Sequence, residues 1–194
     1  MDLKERVYSV LVASAAEKFN ASLRELFPDF KYAPVQFESS ISAARRALLE
    51  REYDFIAINA PLPDDDGIDF SIEVSTGKNA VVALFVRTEH YSPVFAKVSP
   101  HGVYTLPKPT SKQLVLQALD WMASTRERLR MLTKKTISLE DKMQEIRIVN
   151  RAKWVLITAL KMTEADAHRY IEKQAMDRCI SKREFAENII KTYS

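Results

Sequence analysis

An α/β domain with a five-stranded parallel sheet, followed by a long helix and a small all-α domain, is the architecture this sequence predicts. Three observations point to it. Short β-rich apolar runs alternate with helical patterns up to about residue 110, no Pro or Gly follows Pro109, and the two halves carry opposite net charge. Strands that alternate with helices pair in parallel through crossovers, which places helices on both faces of one sheet. A second half without Pro or Gly has only its own caps to end a helix.

The elements follow in order. Val7–Ala13 (VYSVLVA) reads as a strand, and the stretch from about Ala15 to Phe27 as a helix. Pro28 and Pro34 bracket the next connection, and Val35–Glu38 is a second short strand. Ser42–Arg51 is rich in helix formers, and Asp54–Asn59 (DFIAIN) is a buried strand ending in the loop Ala60–Gly67. After a stretch with no assigned element, Ala80–Val86 (AVVALFV) is almost wholly apolar, as a strand covered on both faces must be. Val103–Leu106 is the last strand, stopped by Pro107 and Pro109.

From Ser111 onward the pattern is helical. A heptad frame places Val115, Met122, Leu129, Thr136, Met143 and Asn150 at one seam position, and Ala118, Thr125, Leu132, Leu139, Ile146 and Lys153 at the other. Eight of these twelve are apolar, which suits a two-stranded coiled coil with Asn150 fixing register. A long helix packed on its own domain is the alternative. Ser138 and Asp141 form a capping-box-like pair, so a break or kink is expected near Thr133–Ser138. Thr163 with Asp166, and Ser181 with Glu184, have N-cap spacing and predict helices over Glu164–Arg178 and Lys182–Thr192. Ala167, Tyr170, Ile171, Ala175 and Met176 form one apolar stripe, and Phe185, Ala186, Ile189 and Ile190 another.

Composition narrows the function. Of 194 residues, 46% are hydrophobic and 28% charged, a folded protein's balance. Three scattered glycines, Gly67, Gly77 and Gly102, exclude a Gly-rich phosphate cradle, and a single cysteine excludes intrachain disulfides and CxxC metal frameworks. The histidines have no ligand spacing, and no cofactor or metal is expected. The N-terminal run lacks the order of a signal peptide and no apolar run is long enough to span a bilayer, so the expected location is the cytoplasm, away from membranes. Residues 1–111 hold 12 Lys+Arg against 15 Asp+Glu; residues 112–194 hold 17 against 11. The basic half suits a polyanionic partner. The linker stretch 112–137 is the most basic part, with 6 basic and 2 acidic residues, and adds non-specific attraction. Asp64, Asp65 and Asp66 read as solvated loop acids, and Cys179 as a packing residue or an inert thiol.

The run Asn59-Ala-Pro-Leu-Pro63-Asp-Asp-Asp66-Gly67 after a strand, and Leu106-Pro-Lys108-Pro109 after the last, resemble the receiver domain of two-component response regulators, over roughly residues 5–125. The resemblance implies a flavodoxin-like sheet and a pocket at the strand ends that accepts a phosphoryl group on Asp with Mg²⁺ held by two further acids. Here Asn59 stands at the phosphoacceptor position, Ala13 and Ser14 at the metal-binding positions, Phe85 at the hydroxyl position of the fourth strand, and Thr105 at the switch aromatic. Lys108 alone survives. An amide is too poor a nucleophile for the task, and Mg²⁺ wants carboxylate and water oxygens. The sequence therefore reads as a pseudo-receiver that is not phosphorylated in the usual way.

The segments Arg151-Ala-Lys153-Trp-Val-Leu156, Thr163-Glu-Ala-Asp-Ala167, Ile171-Glu-Lys-Gln-Ala175-Met176 and Phe185-Ala186-Glu-Asn-Ile189-Ile190 resemble the ANTAR domain, over about Leu139–Tyr193. One departure is Trp154, where the family often has Gly. It is expected to fill the helix-bundle core, with base stacking as the alternative. The resemblance implies binding to paired stem-loops in nascent mRNA leaders, preventing a terminator hairpin from forming. Candidate contacts are Arg147, Arg151, Lys153, Lys161, Arg169, Lys173, Arg178, Lys182 and Arg183, with Arg151 and Lys153 first, then Lys173, Arg178 and Arg183.

The expected organisation is a pseudo-receiver over 1–120, a coiled-coil dimerisation helix over 112–150 and an ANTAR domain over 139–194. The expected function is RNA-binding transcription antitermination as a homodimer. A regulatory protein or ligand at the pseudo-receiver replaces phosphorylation. The rivals are a DNA-binding response regulator and a protein-interaction scaffold. An enzyme is not expected, because no nucleophile and base can be assembled from the sequence.

Overall fold

The computed structural model describes residues 6–77 and 80–193. The first half forms β1 (Tyr8–Ala13), α1 (Glu17–Arg24), β2 (Tyr32–Glu38), α2 (Ile41–Glu50), β3 (Phe55–Asn59), α3 (Ile68–Gly77), β4 (Val81–Arg87), α4 (Tyr91–Val98) and β5 (Tyr104–Lys108). Then follow α5 (Lys112–Leu160), α6 (Glu164–Asp177) and α7 (Lys182–Tyr193). The chain divides into two compact units, one ending at Arg130 and one starting at Met131.

In the first unit the strands form one parallel sheet in the order β2-β1-β3-β4-β5. Successive side chains point to opposite faces. Leu11, Ile56, Ile58, Val82 and Leu84 meet Ala44, Leu48, Phe70, Val74 and Val98 of α2, α3 and α4. Val10, Val12, Phe55, Ala57, Ala83 and Phe85 meet Leu23 of α1 and Val115, Ala118, Leu119 and Met122 of α5. This doubly wound arrangement brings the C-terminal ends of β1, β3 and β5 together, where such sheets carry their sites.

The structure departs from the sequence reading at several elements. Pro107 does not stop β5, which runs on to Lys108 with Pro107 paired to Val86. Pro34 likewise lies inside β2. Both strands are at sheet edges, where a missing N–H leaves no ladder bond unmade. The stretches left unassigned form α3 and α4, whose helical signal is masked by β-branched residues in one and Pro93 in the other. The three loop acids are not merely solvated. Asp64 accepts from the backbone N–H groups of Ile41 and Ser42 at the start of α2, both at 2.9 Å, and these bonds hold its carboxyl down at about 2. Asp65 accepts from Gly67 N and Asp66 from Ile68 N, which leads the chain into α3. Gly67 takes φ +77°, and a Cβ there would lie 2.8 Å from Ile58 Cγ2, so glycine is required.

The heptad frame also needs correction. Val115, Ala118 and Met122 bury against the sheet of their own domain, so the first part of the frame is a domain-packing stripe. Leu132, Leu139, Met143 and Ile146 are exposed. The expected break near Thr133–Ser138 does not occur: α5 continues through it, and Thr136 Oγ1 bonds back to Leu132 O at 3.1 Å as a helix-interior hydroxyl does.

The second unit is a three-helix core of Ala152 and Leu156 from α5, Ala167, Ile171 and Ala175 from α6, and Phe185, Ala186 and Ile189 from α7. Both predicted caps form. Thr163 Oγ1 accepts from Asp166 N and Ser181 Oγ from Glu184 N, each at 3.1 Å. With no glycine available, Lys161 and Cys179 take the left-handed conformation just beyond α5 and α6, at φ 54° and 53°.

Candidate functional site

Two regions concentrate the residues that the sequence singles out. The first lies at the strand ends of the α/β unit. Lys108 Nζ, at the end of β5, donates to Asn59 Oδ1 at 2.6 Å and also to the Ala60 carbonyl. Asn59 Nδ2 donates onward to Ser14 Oγ at 3.0 Å. Ser14 Oγ accepts from Ala16 N at 3.3 Å, and Asn20 Nδ2 donates to Ser14 O at 3.1 Å. Asn59 and Ser14 are buried, Ala13 is fully so, and Phe85 is the in-register neighbour of Asn59 across β3 and β4.

The result is a closed chain of neutral groups capped by one ammonium. Desolvation, followed by the nearby Arg87 charge, pushes the Lys108 pKa below its usual value, as happens when a lysine has only neutral acceptors. Mg²⁺ does not fit this donor set. Ala13 offers no oxygen on its side chain, Ser14 and Asn59 offer only neutral oxygens, and the Lys108 ammonium occupies the oxygens of Asn59 and Ala60. Among the described residues, no three His, Cys, Asp or Glu side chains are placed to share a metal ion.

The second region is the surface of the three-helix unit. Arg151 and Lys173 are exposed and have no ion pair among the described residues. The other three leading candidates are engaged internally. Lys153, whose side chain is only 15% exposed, pairs with Glu164 at 3.1 Å. The Arg178 guanidinium sits over the Phe185 ring at 5.1 Å, and Arg183 pairs with Glu187 at 3.1 Å. Lys182 pairs with Glu172, lowering the pKa of that carboxyl.

Residues 138–190 match the ANTAR domain. The chain is 26% identical over 139 residues to the transcriptional regulatory protein PdtaR of Mycobacterium tuberculosis, an alignment covering 72% of this chain and 68% of that protein. The second unit thus carries an ANTAR domain, and the first has the fold of a receiver domain. Solved structures agree on the fold of that domain. The receiver domain of an HD domain-containing protein from Pseudomonas fluorescens Pf-5 aligns with a TM-score of 0.58 at 21% identity, covering 68% of this chain and 96% of that one. A structure described as an adenylate cyclase from Rhodopirellula baltica gives 0.57 at 16% identity, covering 70% and 98%. No described helix is long and apolar enough to cross a membrane.

Set beside the ANTAR fold, three sequence expectations change. Trp154 does not fill the bundle core: it is 68% exposed, because Ala152 and Leu156, two residues to either side, turn inward and leave it on the opposite side of α5. Tyr170 and Met176 leave the α6 stripe for the surface, since the buried residues recur at Ala167, Ile171 and Ala175. The basic linker loses part of its charge to the receiver-type domain, where Arg126 and Arg130 both bind Asp54. Sequence reasoning also missed Asn20, which anchors Ser14, and Thr88, whose hydroxyl donates to Lys108 O at 2.9 Å. Neither stands in a motif, and only the folding of the strand ends brings them there.

Proposed function

We propose that this chain is an RNA-binding transcription antiterminator of the response-regulator type that engages paired stem-loops in nascent mRNA and is controlled without phosphorylation of its receiver-type domain. The ANTAR domain over residues 138–190 carries the first part. Supporting it, no acidic residue occurs between Glu145 and Glu164, while Arg147, Arg151, Lys153 and Lys161 fall in that stretch. Lys and Arg of this kind engage phosphates, while unpaired loops supply the bases that are read. The DNA-binding rival would use α7 as a recognition helix, but its Lys182 and Arg183 are both committed to carboxylates.

The working form in this reading is a homodimer through the exposed part of α5, from Leu132 to Ile146. Two tethered modules then meet two stem-loops at raised effective concentration. The test is binding of the full chain to a double stem-loop RNA from its own operon's leader, against duplex DNA of the same sequence, across a salt series. Loop-dependent RNA binding is expected. Arg151→Ala, which removes an exposed and unpaired cation, weakens it about tenfold and lowers the salt slope by about 1. Preference for the DNA duplex would favour the promoter-binding rival, and no affinity for either even at low salt would favour a scaffold.

The carboxylate-free Lys108–Asn59–Ser14 chain supports the second part, control by a protein or ligand instead of phosphate. Asn59→Asp restores one carboxylate but leaves Ala13 and Ser14 unable to hold Mg²⁺. It is therefore expected to stay unlabelled by acetyl phosphate with Mg²⁺ present. Stoichiometric, Mg²⁺-dependent labelling would mean that the acidic pocket lies elsewhere.

A further inference from the structure

Trp154 is the least explained large side chain of the ANTAR domain. It is 68% exposed, and no other ring and no cation stacks on it among the described residues. It sits at the middle of a face of α5 turned away from the bundle core. One turn toward the N-terminus lie Asn150 and Arg151, and two turns away Arg147; one turn on lies Thr158. Arg147, Asn150, Arg151 and Thr158 are all exposed. These positions thus combine one large wet ring with two cations, an amide and a hydroxyl, and none of them is an acid.

The obvious competing occupant is a second copy of the chain, since the exposed seam of α5 points toward the same region. The apolar part of the seam ends at Ile146, about two turns before Trp154. Its next two positions are the polar Asn150 and Lys153, and Lys153 is drawn into the bundle by Glu164. Pairing this face with its own copy would also bring Arg147 and Arg151 against the same residues of the partner, a like-charge contact. A polyanion with an unstacked aromatic base matches both the charge and the ring.

We propose that Trp154 is a base-stacking platform for an unpaired nucleotide of an RNA loop, framed by Arg147, Asn150 and Arg151, which hold the adjoining phosphates and base edges. The inference rests on the RNA-binding reading above. It assigns a contact to the residue by which this chain departs from the usual ANTAR sequence. Loop bases are the occupant, because a duplex keeps its bases stacked on one another and offers the ring no face.

The test uses the full chain carrying Trp121→Phe, so that emission reports Trp154 alone, with the double stem-loop leader RNA and the same strand annealed to its complement. The stem-loop RNA is expected to quench the emission and the annealed duplex to leave it unchanged. Trp154→Ala is expected to weaken stem-loop binding about tenfold with unchanged helical content, and Trp154→Phe to restore most of the affinity. If the RNA binds with unchanged emission and Trp154→Ala binds as tightly as the parent, the inference falls and the antiterminator reading stands. If the parent binds no RNA, both fall. If Trp154→Ala turns a dimer into a monomer in the absence of RNA, the face belongs to a second copy and the inference is overturned.

Discussion

Asp54→Ala is expected to lower the stability of the receiver-type domain by about 3 kcal/mol, a drop of roughly 10 °C in its unfolding temperature. Asp54 is 8% exposed and sits just before β3. Its Oδ1 accepts from Arg126 Nε at 2.8 Å and Arg130 Nη2 at 2.7 Å, both on α5. Its Oδ2 accepts from Ser9 N at 3.0 Å and from Ser9 Oγ at 3.3 Å, on β1. One carboxylate thus joins two strands to the helix that leaves the domain. Its loss strands Arg126, which is nearly as buried, while Arg130 keeps Glu127 at 2.8 Å. Removing one partner of a buried pair costs more than the pair itself contributes, because the charge left behind is neither solvated nor neutralised.

The pH dependence follows from the same contacts. Burial alone would raise the Asp54 pKa, but the Arg126 hydrogen bond, the Ser9 backbone bond and the two guanidinium charges outweigh it, and the net shift is downward. A carboxyl with a depressed folded pKa contributes stability above its unfolded value near 3.8, and that contribution fades as pH falls through the folded value. The gap between wild type and Asp54→Ala should be full at neutral pH and shrink below about pH 4. Thermal unfolding followed at pH 7, 4 and 3 measures it. A gap that stays constant into acid would mean that the ion pairs contribute nothing and that the variant acts through packing.

Leu156→Ala is expected to unfold the ANTAR domain while leaving the receiver-type domain's transition in place. Leu156 is fully buried in a core where four of the eight buried residues are alanines. Leu156, Ile171, Phe185 and Ile189 are its large buried side chains, with partly buried residues such as Ile148, Met162 and Ile180 packed around them. A Leu→Ala change in such a site costs about 3–4 kcal/mol, and a unit this small holds only about that much in reserve. The expected readout is partial loss of helical circular dichroism at 25 °C, with the receiver-type domain still melting as in wild type. If the variant keeps its full helical signal, the three-helix core is more redundant than its few large side chains imply.

These two sites also mark how far the sequence could be read. Asp54 gave no signal beyond opening an apolar run, because its partners Arg126 and Arg130 lie more than seventy residues away and look like ordinary linker charges. Leu156 and its neighbours were legible as a core, since Ala167, Ile171 and Ala175 repeat at helical spacing and Thr163 and Ser181 cap their helices locally. Trp154 was misplaced for a related reason. Size and hydropathy argue for burial, yet orientation on α5 is set by which neighbours the bundle takes inward.

Five strands, their parallel pairing with helices on both faces, and the two capped C-terminal helices are legible in the sequence alone. All of these are written in short-range patterns: apolar alternation, and turn and cap chemistry. The fold alone closes Lys108, Asn59 and Ser14 into one hydrogen-bonded chain. It also turns Val115, Ala118 and Met122 to the sheet, and holds Lys153, Arg178 and Arg183 within their own domain. The reason is physical. A local pattern states what a side chain prefers, whereas its partner is chosen by whichever distant group the fold brings within about 3 Å.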